Sequence, residues 1–314
     1  MQALIYHRYG PAENLHWEEI ATPAPRRGQV QVRVRATALN PVDVEIRQGR
    51  IAVITGYRFP RVPGSDFVGE ITALGAEVQP WSIGDWVMGF TDTMQGGAMA
   101  EHLCVPAHRI GRVPVADPAP GWAGLPLAAQ TALQALRNDV ALQKGEQLLI
   151  NGASGGVGVY AVQIGRLLGA AVTGICSHRN VDLVRDLGAQ HLIDYTQTDY
   201  LKVAARYDVI FDVYGNQSWR RMRHLLRPGG RFISTIPHPR HYLAYLPARL
   251  MGQQSWAVVV RSRTQDLHRL ADWVQQGDLR LVTDRVYPWE EAVAATQYLE
   301  TRRAKGKVIV EMAG

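Results

Sequence analysis

One glycine-rich segment constrains the fold of this chain more than any other feature. Residues 152–158 read Gly-Ala-Ser-Gly-Gly-Val-Gly; they follow the apolar run QLLIN at 147–151 and open an amphipathic helix predicted over about 156–168. Glycines at this spacing allow a tight turn, let the backbone approach a pyrophosphate and let the helix pack closely on its strand. The helix N-terminus adds N–H groups and positive potential for the phosphates. The segment therefore predicts a dinucleotide-binding turn.

Alternating strands and helices surround this turn. The predicted elements are AAVTGIC at 170–176, a helix through 187, HLID at 191–194, YDVIFDV at 207–213, a helix near 217–226, a turn at 228–230 and RFISTI at 231–236. Strands that alternate with helices in this way form a parallel sheet with helices on both faces. The chain is therefore expected to be α/β, with a doubly wound domain over residues 120–262.

The end of the second strand of this domain discriminates between the nicotinamide cofactors. NAD sites usually have an Asp or Glu there for the ribose 2′-hydroxyl, whereas this chain has Cys-Ser-His-Arg-Asn at 176–180. The Ser177 hydroxyl and the Arg179 guanidinium suit a 2′-phosphate, which a carboxylate would repel. We therefore expect NADP(H), with a solvated Arg179 at a helix start as the alternative. Tyr195, at the end of the third strand, either closes the adenosine side or simply packs.

The N-terminal part of the chain has the pattern of a β-domain. Val30, Val32 and Val34 alternate with polar residues, and turn residues separate the short strands that follow. This pattern favours a compact barrel over a helical bundle. After residue 262, two amphipathic helices lead to the apolar run KVIVEM at 307–312, which we expect to return to the N-terminal domain. The predicted second domain is therefore 1–119 together with 263–314.

Composition excludes several classes of protein. The net charge of +6 is explained by arginines on solvated helix faces and at an anionic cofactor, so nucleic acid is not expected as the main partner. Cys104 and Cys176 have no Cys or His neighbours at ligand spacing, which argues against a disulfide framework and a thiolate zinc site. The start MQALIYHRYG lacks the apolar stretch of a secretory signal, and no later run has membrane-spanning length. We expect a cytoplasmic protein that does not associate with membranes.

Several segments along the chain match the pattern of a known family. They are ALNPVDVEIRQG at 38–49, VPGSDFVGEITALG at 62–75, GDWVMGF at 84–90, GGAMAEH at 96–102, LPLAAQTALQAL at 125–136, NGASGGVG at 151–158, LGAQHLIDY at 187–195 and GKVIV at 306–310. With these segments the chain resembles the zeta-crystallin-like quinone oxidoreductases and NADPH-dependent alkenal reductases of the medium-chain dehydrogenase/reductase superfamily. The resemblance runs nearly end to end. It implies a GroES-like β-barrel catalytic domain and a Rossmann nucleotide-binding domain.

The resemblance also implies roles for individual residues. These are Asn40 and Thr131 near the nicotinamide, Ser154, Gly155, Gly156 and Val157 on the pyrophosphate, Ser177, Arg179 and Tyr195 around the adenosine phosphate, Tyr214 beside the cofactor, and Lys307 as a family lysine of the cofactor site. For Lys307 an exposed lysine at a strand edge is the alternative.

The resemblance implies that no metal is bound. In zinc-containing relatives a Cys stands at the position of Asn40 and a His-Glu pair at the positions of Ser65 and Asp66. Zinc prefers Cys, His and carboxylate in a tetrahedral set, which these three residues do not provide. His238 and His241 are close in sequence, and we assign them to a surface loop.

The expected reaction is hydride transfer from NADPH to an electron-poor conjugated acceptor, either a quinone or an α,β-unsaturated carbonyl. Negative charge then develops on the acceptor oxygen, which needs a hydrogen-bond donor. Asn40 is the preferred donor, and Asp43 either orients it or is only a turn residue. Quinone oxidoreductases of this type often have a Tyr two residues after Gly49, where this chain has Ile51. That difference weakens the case for quinones.

Two other functions and two assemblies stay open at this point. One alternative is a non-catalytic NADPH-binding regulatory or RNA-binding protein. The other is an ordinary alcohol dehydrogenase, which the missing zinc ligands disfavour. The apolar run SWAVVV at 255–260 ends the nucleotide domain, and an edge strand there favours a homodimer. The alternative is a sixth internal strand.

Overall fold

The computed structural model describes residues 1–236 and 243–312 and divides into two compact units. One unit consists of Met1–Leu127, Ser262–Gln276 and Leu281–Gly314, and the other of Ala128–Arg261 and Gly277–Arg280. The second unit is therefore inserted into the first along the chain. The predicted loop with His238 and His241 lies outside the described residues.

The first unit is built mainly on antiparallel strands, numbered in chain order. They are β1 (Gln2–Ile5), β2 (His16–Glu19), β3 (Gln29–Leu39), β4 (Asp66–Leu74), β5 (Trp86–Phe90), β6 (His102–Pro106), β7 (Ile110–Arg112), β14 (Thr283–Pro288) and β15 (Lys307–Glu311). Strands β1 and β2 form a two-stranded sheet. The others form a seven-stranded sheet in the order β14-β15-β3-β4-β5-β7, with β6 paired to β3.

Strand β3 shows why the first unit folds around this sheet. Val30, Val32 and Val34 are buried, as their alternation with polar residues predicted, and they pack in one cluster with Phe67 and Ile71 of β4. Burial of one face fixes the register, because a slip by one residue would expose the whole apolar set.

The C-terminal strand returns to the N-terminal part of the chain, as predicted. Strand β15 pairs with β3 antiparallel, with Val308 opposite Leu39 and Val310 opposite Thr37. The helices of this unit are α1 (Pro41–Arg47), α2 (Ala52–Thr55), α8 (Thr264–Gln275) and α9 (Ala292–Glu300).

The second unit has a six-stranded parallel sheet. Its strands are β8 (Gln147–Asn151), β9 (Ala171–Cys176), β10 (His191–Asp194), β11 (Tyr207–Asp212), β12 (Leu226–Ser234) and β13 (Gln254–Ala257), in the order β10-β9-β8-β11-β12-β13. This is the strand order of the Rossmann fold, with its order reversal between β8 and β11. Its helices are α4 (Gly158–Leu167), α5 (Val181–Asp186), α6 (Trp219–Met222) and α7 (Tyr245–Leu250); α3 (Pro126–Leu133) spans the boundary between the units.

One predicted helix is shorter than expected. The helix expected near 217–226 is a single turn, α6, followed by a 3-10 turn at Arg223–Leu225. Strand β12 then starts at Leu226 and includes the predicted turn glycine Gly229, whose φ is +78°. The helix ends early because Leu226 pairs with Tyr207 of β11, so sheet pairing takes precedence over the helical pattern.

Short helical segments connect the larger elements. The 3-10 segments outside that region are Ala12–Asn14, Ala107–Arg109, Pro120–Gly124, His178–Asn180, Tyr200–Lys202 and Trp289–Glu291, and a π-helix follows α3 at Gln134–Asp139. Among the described residues, none of the helices has the length and apolar character needed to span a membrane.

Candidate functional site

Three neighbouring strands of the first unit bring Asn40, Asp66 and Lys307 together. Val308 of β15 lies opposite Leu39 of β3 in an antiparallel pair. Lys307, just before Val308, and Asn40, just after Leu39, therefore lie at the same end of the pair. Asp66 begins β4 and lies opposite Ala38. All three side chains are buried, with exposed fractions of 6%, 0% and 3%. The cluster is therefore a product of sheet topology, since its members are far apart in sequence.

Hydrogen bonds tie the three side chains into one network. Lys307 Nζ donates to Asn40 Oδ1 at 2.6 Å and to Asp66 Oδ2 at 3.1 Å. Asn40 Nδ2 donates to Asp66 Oδ2 at 3.0 Å and to the Ala38 carbonyl at 3.2 Å, and the Leu127 backbone N–H donates to Asp66 Oδ1 at 2.7 Å.

The donor count of the network identifies Lys307 as its available donor. An ammonium has three N–H bonds and an amide nitrogen has two. Both amide N–H groups of Asn40 have acceptors inside the network, so Asn40 would have to release one of them to bind a substrate oxygen. One N–H of Lys307 has no acceptor among the described residues.

Lys307 is buried because its neighbour Gly124 has no side chain. A Cβ on Gly124 would lie 3.0 Å from both Cβ and Cγ of Lys307, so glycine leaves room for the lysine stem. The alternative of an exposed lysine at a strand edge is therefore wrong. The structure instead places this ammonium beside a carboxylate that is also fully buried.

The two charges of the buried pair depend on each other. Burial raises the pKa of the Asp66 carboxyl, while the Lys307 charge and the hydrogen bonds from Asn40 and Leu127 oppose that increase. A buried charge without a partner is strongly destabilising, so removing either member of the pair leaves the other uncompensated.

Asp43 supports Asn40 from the first turn of α1. Its Oδ2 accepts from the Asn40 backbone N–H at 2.8 Å, and its Oδ1 accepts from the Ser65 hydroxyl at 3.4 Å. This contact fits the orienting role considered for Asp43. Burial raises the pKa of Asp43 to about 7, and the nearby Asp66 charge adds to the increase.

The predicted dinucleotide turn lies in the second unit, between β8 and α4. Gly152 has φ +87°, and a Cβ on it would lie 3.1 Å from the Tyr214 Cβ and backbone nitrogen. A Cβ on Gly158, where α4 begins, would lie 2.1 Å from the Gly152 carbonyl oxygen. Both positions therefore require glycine. Ser154, Gly155, Gly156 and Val157 lie between them and are partly exposed.

A buried amide–carboxylate contact holds the strand ends beside this turn. Asn151 ends β8 and its Nδ2 donates to Asp212 Oδ1 at the end of β11, at 2.7 Å. Asp212 also accepts from the backbone N–H groups of Gly215 and Gln217, which fixes the loop that contains Tyr214. Ligands of such sheets bind where the strand order reverses, here between β8 and β11. Sequence reasoning missed this pair, although Asn151 ends one predicted strand and Asp212 is the next-to-last residue of another.

The residues assigned to the adenosine phosphate lie near the end of β9. Ser177 is buried, Arg179 is exposed, and the Tyr195 backbone N–H bonds to the Cys176 carbonyl at 3.1 Å. The Arg179 side chain has no hydrogen bond or ion pair within the described part of the chain. The nearby Asp194 carboxylate accepts from the N–H and hydroxyl of Thr196 and lies 3.3 Å from His178 Nδ1.

Three further side chains complete the placement of the predicted residues. Asn180 Nδ2 donates to the Ser154 hydroxyl oxygen at 2.9 Å, which joins the adenosine region to the turn; sequence reasoning missed this contact. Thr131 is buried in α3, and the side chain of Tyr214 is 48% exposed. The glycine turn and the strand ends beside it therefore fit a dinucleotide.

Comparisons with known proteins agree with this architecture. Residues 26–115 match the alcohol dehydrogenase GroES-like domain, and residues 187–310 match a family described as zinc-binding dehydrogenase. A chloroplast envelope quinone oxidoreductase homolog of Arabidopsis thaliana is 30% identical over 99% of this chain and 98% of that protein. An NADPH-dependent alkenal/one oxidoreductase of the same plant is 31% identical over 99% of this chain and 79% of that protein.

A solved structure agrees as well. The quinone oxidoreductase from Coxiella burnetii superposes with a TM-score of 0.91 at 29% identity, covering 100% of this chain and 99% of that one. The fold, the site and these matches define an oxidoreductase with a nicotinamide cofactor and a small-molecule substrate. The chain belongs to the quinone oxidoreductase and alkenal reductase group of the medium-chain dehydrogenase/reductase superfamily. The alternative of a non-catalytic regulatory protein is not favoured by these relatives.

The raised pKa of Asp43 predicts a specific pH dependence of stability. Because its pKa is about 7 in the folded protein and about 3.9 in unfolded chains, the folded state binds this proton more tightly. The stabilisation that this proton gives to the folded state is fully present below about pH 4 and is lost as the pH rises to about 7. The free energy of unfolding then falls by up to about 1.4 kcal/mol per pH unit. Asp43→Asn removes this titration, and its amide oxygen can still accept from Asn40.

We therefore expect Asp43→Asn to gain free energy of unfolding relative to the wild type as the pH rises from about 5 to about 7. Denaturant titrations at several pH values measure this difference. The exposed carboxylate variant Asp186→Asn is the control, for which no such trend is expected. A constant difference between Asp43→Asn and the wild type across this range would contradict the assignment.

Proposed function

We propose that this enzyme transfers hydride from NADPH to a quinone or an α,β-unsaturated carbonyl without a catalytic zinc ion. The observation that carries the proposal is the buried Lys307 ammonium, held by Asn40 and Asp66 with one N–H left to donate. The similarity to a quinone oxidoreductase homolog and to an alkenal/one oxidoreductase supports these acceptors.

Lys307 is the proposed donor to the acceptor oxygen. A bound nicotinamide would supply the hydride for the electrophilic carbon, and the electron pair of the acceptor's π bond would move to its oxygen. The third N–H of Lys307 then stabilises the negative charge, and solvent supplies the proton that completes the reduction. A charged donor in a buried site is effective because it needs little reorganisation when the charge develops.

Asn40 and Asp43 position this donor. Asn40 Oδ1 fixes the ammonium at 2.6 Å, and Asp43 fixes the backbone of Asn40. This changes the role predicted for Asn40: its own amide N–H groups have acceptors, so it acts through Lys307. Lys307, which the family resemblance placed at the cofactor, is given this second role by its contacts.

The same contacts support the proposed independence from zinc. Asn40 and Asp66, at two of the positions where zinc-containing relatives have metal ligands, both bond to Lys307 here. A divalent cation at this place would be repelled by the ammonium, and the set lacks the Cys and His ligands that zinc prefers.

The proposed NADPH site uses the residues of the second unit. Ser154, Gly155, Gly156 and Val157 would bind the pyrophosphate at the start of α4. The further proposed contacts are Ser177, Arg179 and Tyr195 at the adenosine phosphate, Tyr214 beside the turn, and Thr131 at the nicotinamide. Ser177 and Arg179 support NADPH over NADH because a guanidinium pairs well with a phosphate.

The reaction and the role of Lys307 are tested together. We expect wild-type protein to oxidise NADPH with at least one acceptor from a panel of quinones and 2-alkenals. Lys307→Met should lower kcat about 100-fold with little change in the KM for NADPH, because an oxyanion donor contributes about 10²–10³-fold. Lys305→Met, an exposed lysine two residues away, should retain full activity.

Lys307→Met also leaves Asp66 unpaired, so the double variant Lys307→Met/Asp66→Asn is measured beside it. That variant leaves no unpaired Asp66 charge and should bind NADPH but remain slow. Wild-type kcat in either folded variant would overturn the role of Lys307. No turnover of any panel member by wild-type protein that binds NADPH would overturn the proposed reaction.

Cofactor preference is tested at Arg179. Loss of one charge-assisted hydrogen bond costs about 1.5–3 kcal/mol, so Arg179→Gln should raise the KM for NADPH about 10- to 100-fold and leave that for NADH nearly unchanged. Arg185→Gln on α5 makes the same charge change and is the control. Equal effects of the two substitutions on the KM for NADPH would contradict the role proposed for Arg179.

We also propose a homodimer. Strand β13 lies at the edge of the described six-stranded sheet, and Val259 just after it is 68% exposed. An edge strand with an exposed apolar residue just after it favours pairing with a second copy. Sedimentation equilibrium should give twice the mass of the chain, and a monomer at all concentrations would refute the dimer.

A further inference from the structure

A second cluster of potential ligands lies on the β1–β2 hairpin, apart from the residues proposed for catalysis. His16 and Glu18 are two residues apart on β2, so their side chains project from the same face. Trp17 between them projects from the other face, where it packs edge-on against Trp289 and donates its Nε1 to the Trp289 carbonyl at 3.1 Å. The packed tryptophan therefore fixes the strand that carries both side chains.

His7 reaches the same place from the end of β1. The residue before it, Tyr6, exchanges two backbone hydrogen bonds with Arg61, each 3.1 Å long. His7 Nε2 lies 2.7 Å from Glu18 Oε1, and His16 Nε2 lies 3.4 Å from the same oxygen. The two imidazoles stack with 6.0 Å between centroids and 16° between planes.

The geometry converges three donor atoms on one point. One ligand atom from each of His7, His16 and Glu18 lies within 4.8 Å of the other two. Among the described residues this is the one group of three or more His, Cys, Asp or Glu side chains that meets this spacing. Two imidazole nitrogens and one carboxylate are the ligands of many three-residue zinc sites, with water as the fourth ligand.

We propose that His7, His16 and Glu18 form a surface site for a borderline divalent transition-metal ion such as Zn²⁺. Each Nε2 gives its lone pair to the ion, with the ring proton on Nδ1, and Glu18 contributes one negative charge. With Zn–ligand distances of about 2.0–2.1 Å in a tetrahedral set, two ligand atoms lie about 3.3 Å apart, so His7 Nε2 and Glu18 Oε1, which are 2.7 Å apart, must separate slightly to admit the ion.

The exposure of the cluster allows that adjustment and leaves room for water. Both histidine side chains are 53% exposed and that of Glu18 is 35% exposed, so their rotation is not opposed by core packing. The backbone that carries them is held by strand pairing and by Trp17. Ligands of this type follow the general affinity order for divalent metals, so Cu²⁺ should compete effectively with Zn²⁺.

The test compares zinc binding by the full chain with binding by variants, using calorimetric titration of metal-free protein with zinc chloride. We expect the wild type to bind one zinc equivalent more than His7→Gln/His16→Gln, and Glu18→Gln to bind it about tenfold or more weakly. His191→Gln, which removes an exposed histidine on β10, should bind like the wild type. NADPH oxidation is expected to be unchanged in all of them.

The comparison isolates the hairpin site from other histidines. Zinc bound by His238 or His241 would persist in the double variant and cancel in the difference. Equal stoichiometry and affinity in the wild type and in His7→Gln/His16→Gln would overturn the proposal, as would a wild type that binds no zinc. Neither result would bear on hydride transfer, since none of the three residues has a part in it.

Discussion

The buried ion pair between Lys307 and Asp66 is the interaction on which the first unit depends. It joins the start of β15 to the start of β4, on either side of β3, and Asn40 at the end of β3 bonds to both charges. Moving two charges out of water is costly, and apolar side chains of similar size often stabilise a fold as well or better. The pair is therefore poorly explained by stability alone, whereas a fixed cation in a water-poor site has an evident use in chemistry.

The surroundings of the Lys307 ammonium also determine how strongly it can stabilise a negatively charged oxygen. Asp66 balances its charge, and burial keeps Asp43 partly protonated near neutral pH, so the site does not gain a second full negative charge. A substrate oxygen that becomes negative would then meet an N–H of a cation that is paired with one full carboxylate charge and not with two. In the proposed mechanism, the Lys307 ammonium would stabilise the negative oxygen of a conjugated acceptor, as a metal ion stabilises the oxygen of a simple carbonyl.

Local patterns in the sequence predicted the elements and their order but not the contacts of the site. The glycine turn, the alternation in β3 and the apolar terminal strand are visible within short windows, because they reflect backbone conformation and one-sided burial. Lys307 is 267 residues from Asn40 and 241 from Asp66, so no spacing rule connects them. The family resemblance identified Lys307 and Asn40, and only the sheet register explains why they meet.

The two cations proposed to act in the site, Arg179 and Lys307, differ in their surroundings, and this difference fits the separate roles proposed for them. Arg179 is exposed, so its attraction for a phosphate is screened by salt over about 8–10 Å and competes with water. Lys307 is almost fully buried, and a nearby carboxylate and amide hold it in one position. An exposed guanidinium suits a cofactor that must bind and leave in every cycle. A fixed, buried ammonium suits the reacting oxygen, because a donor that is already in place loses no energy to reorganisation when the charge forms.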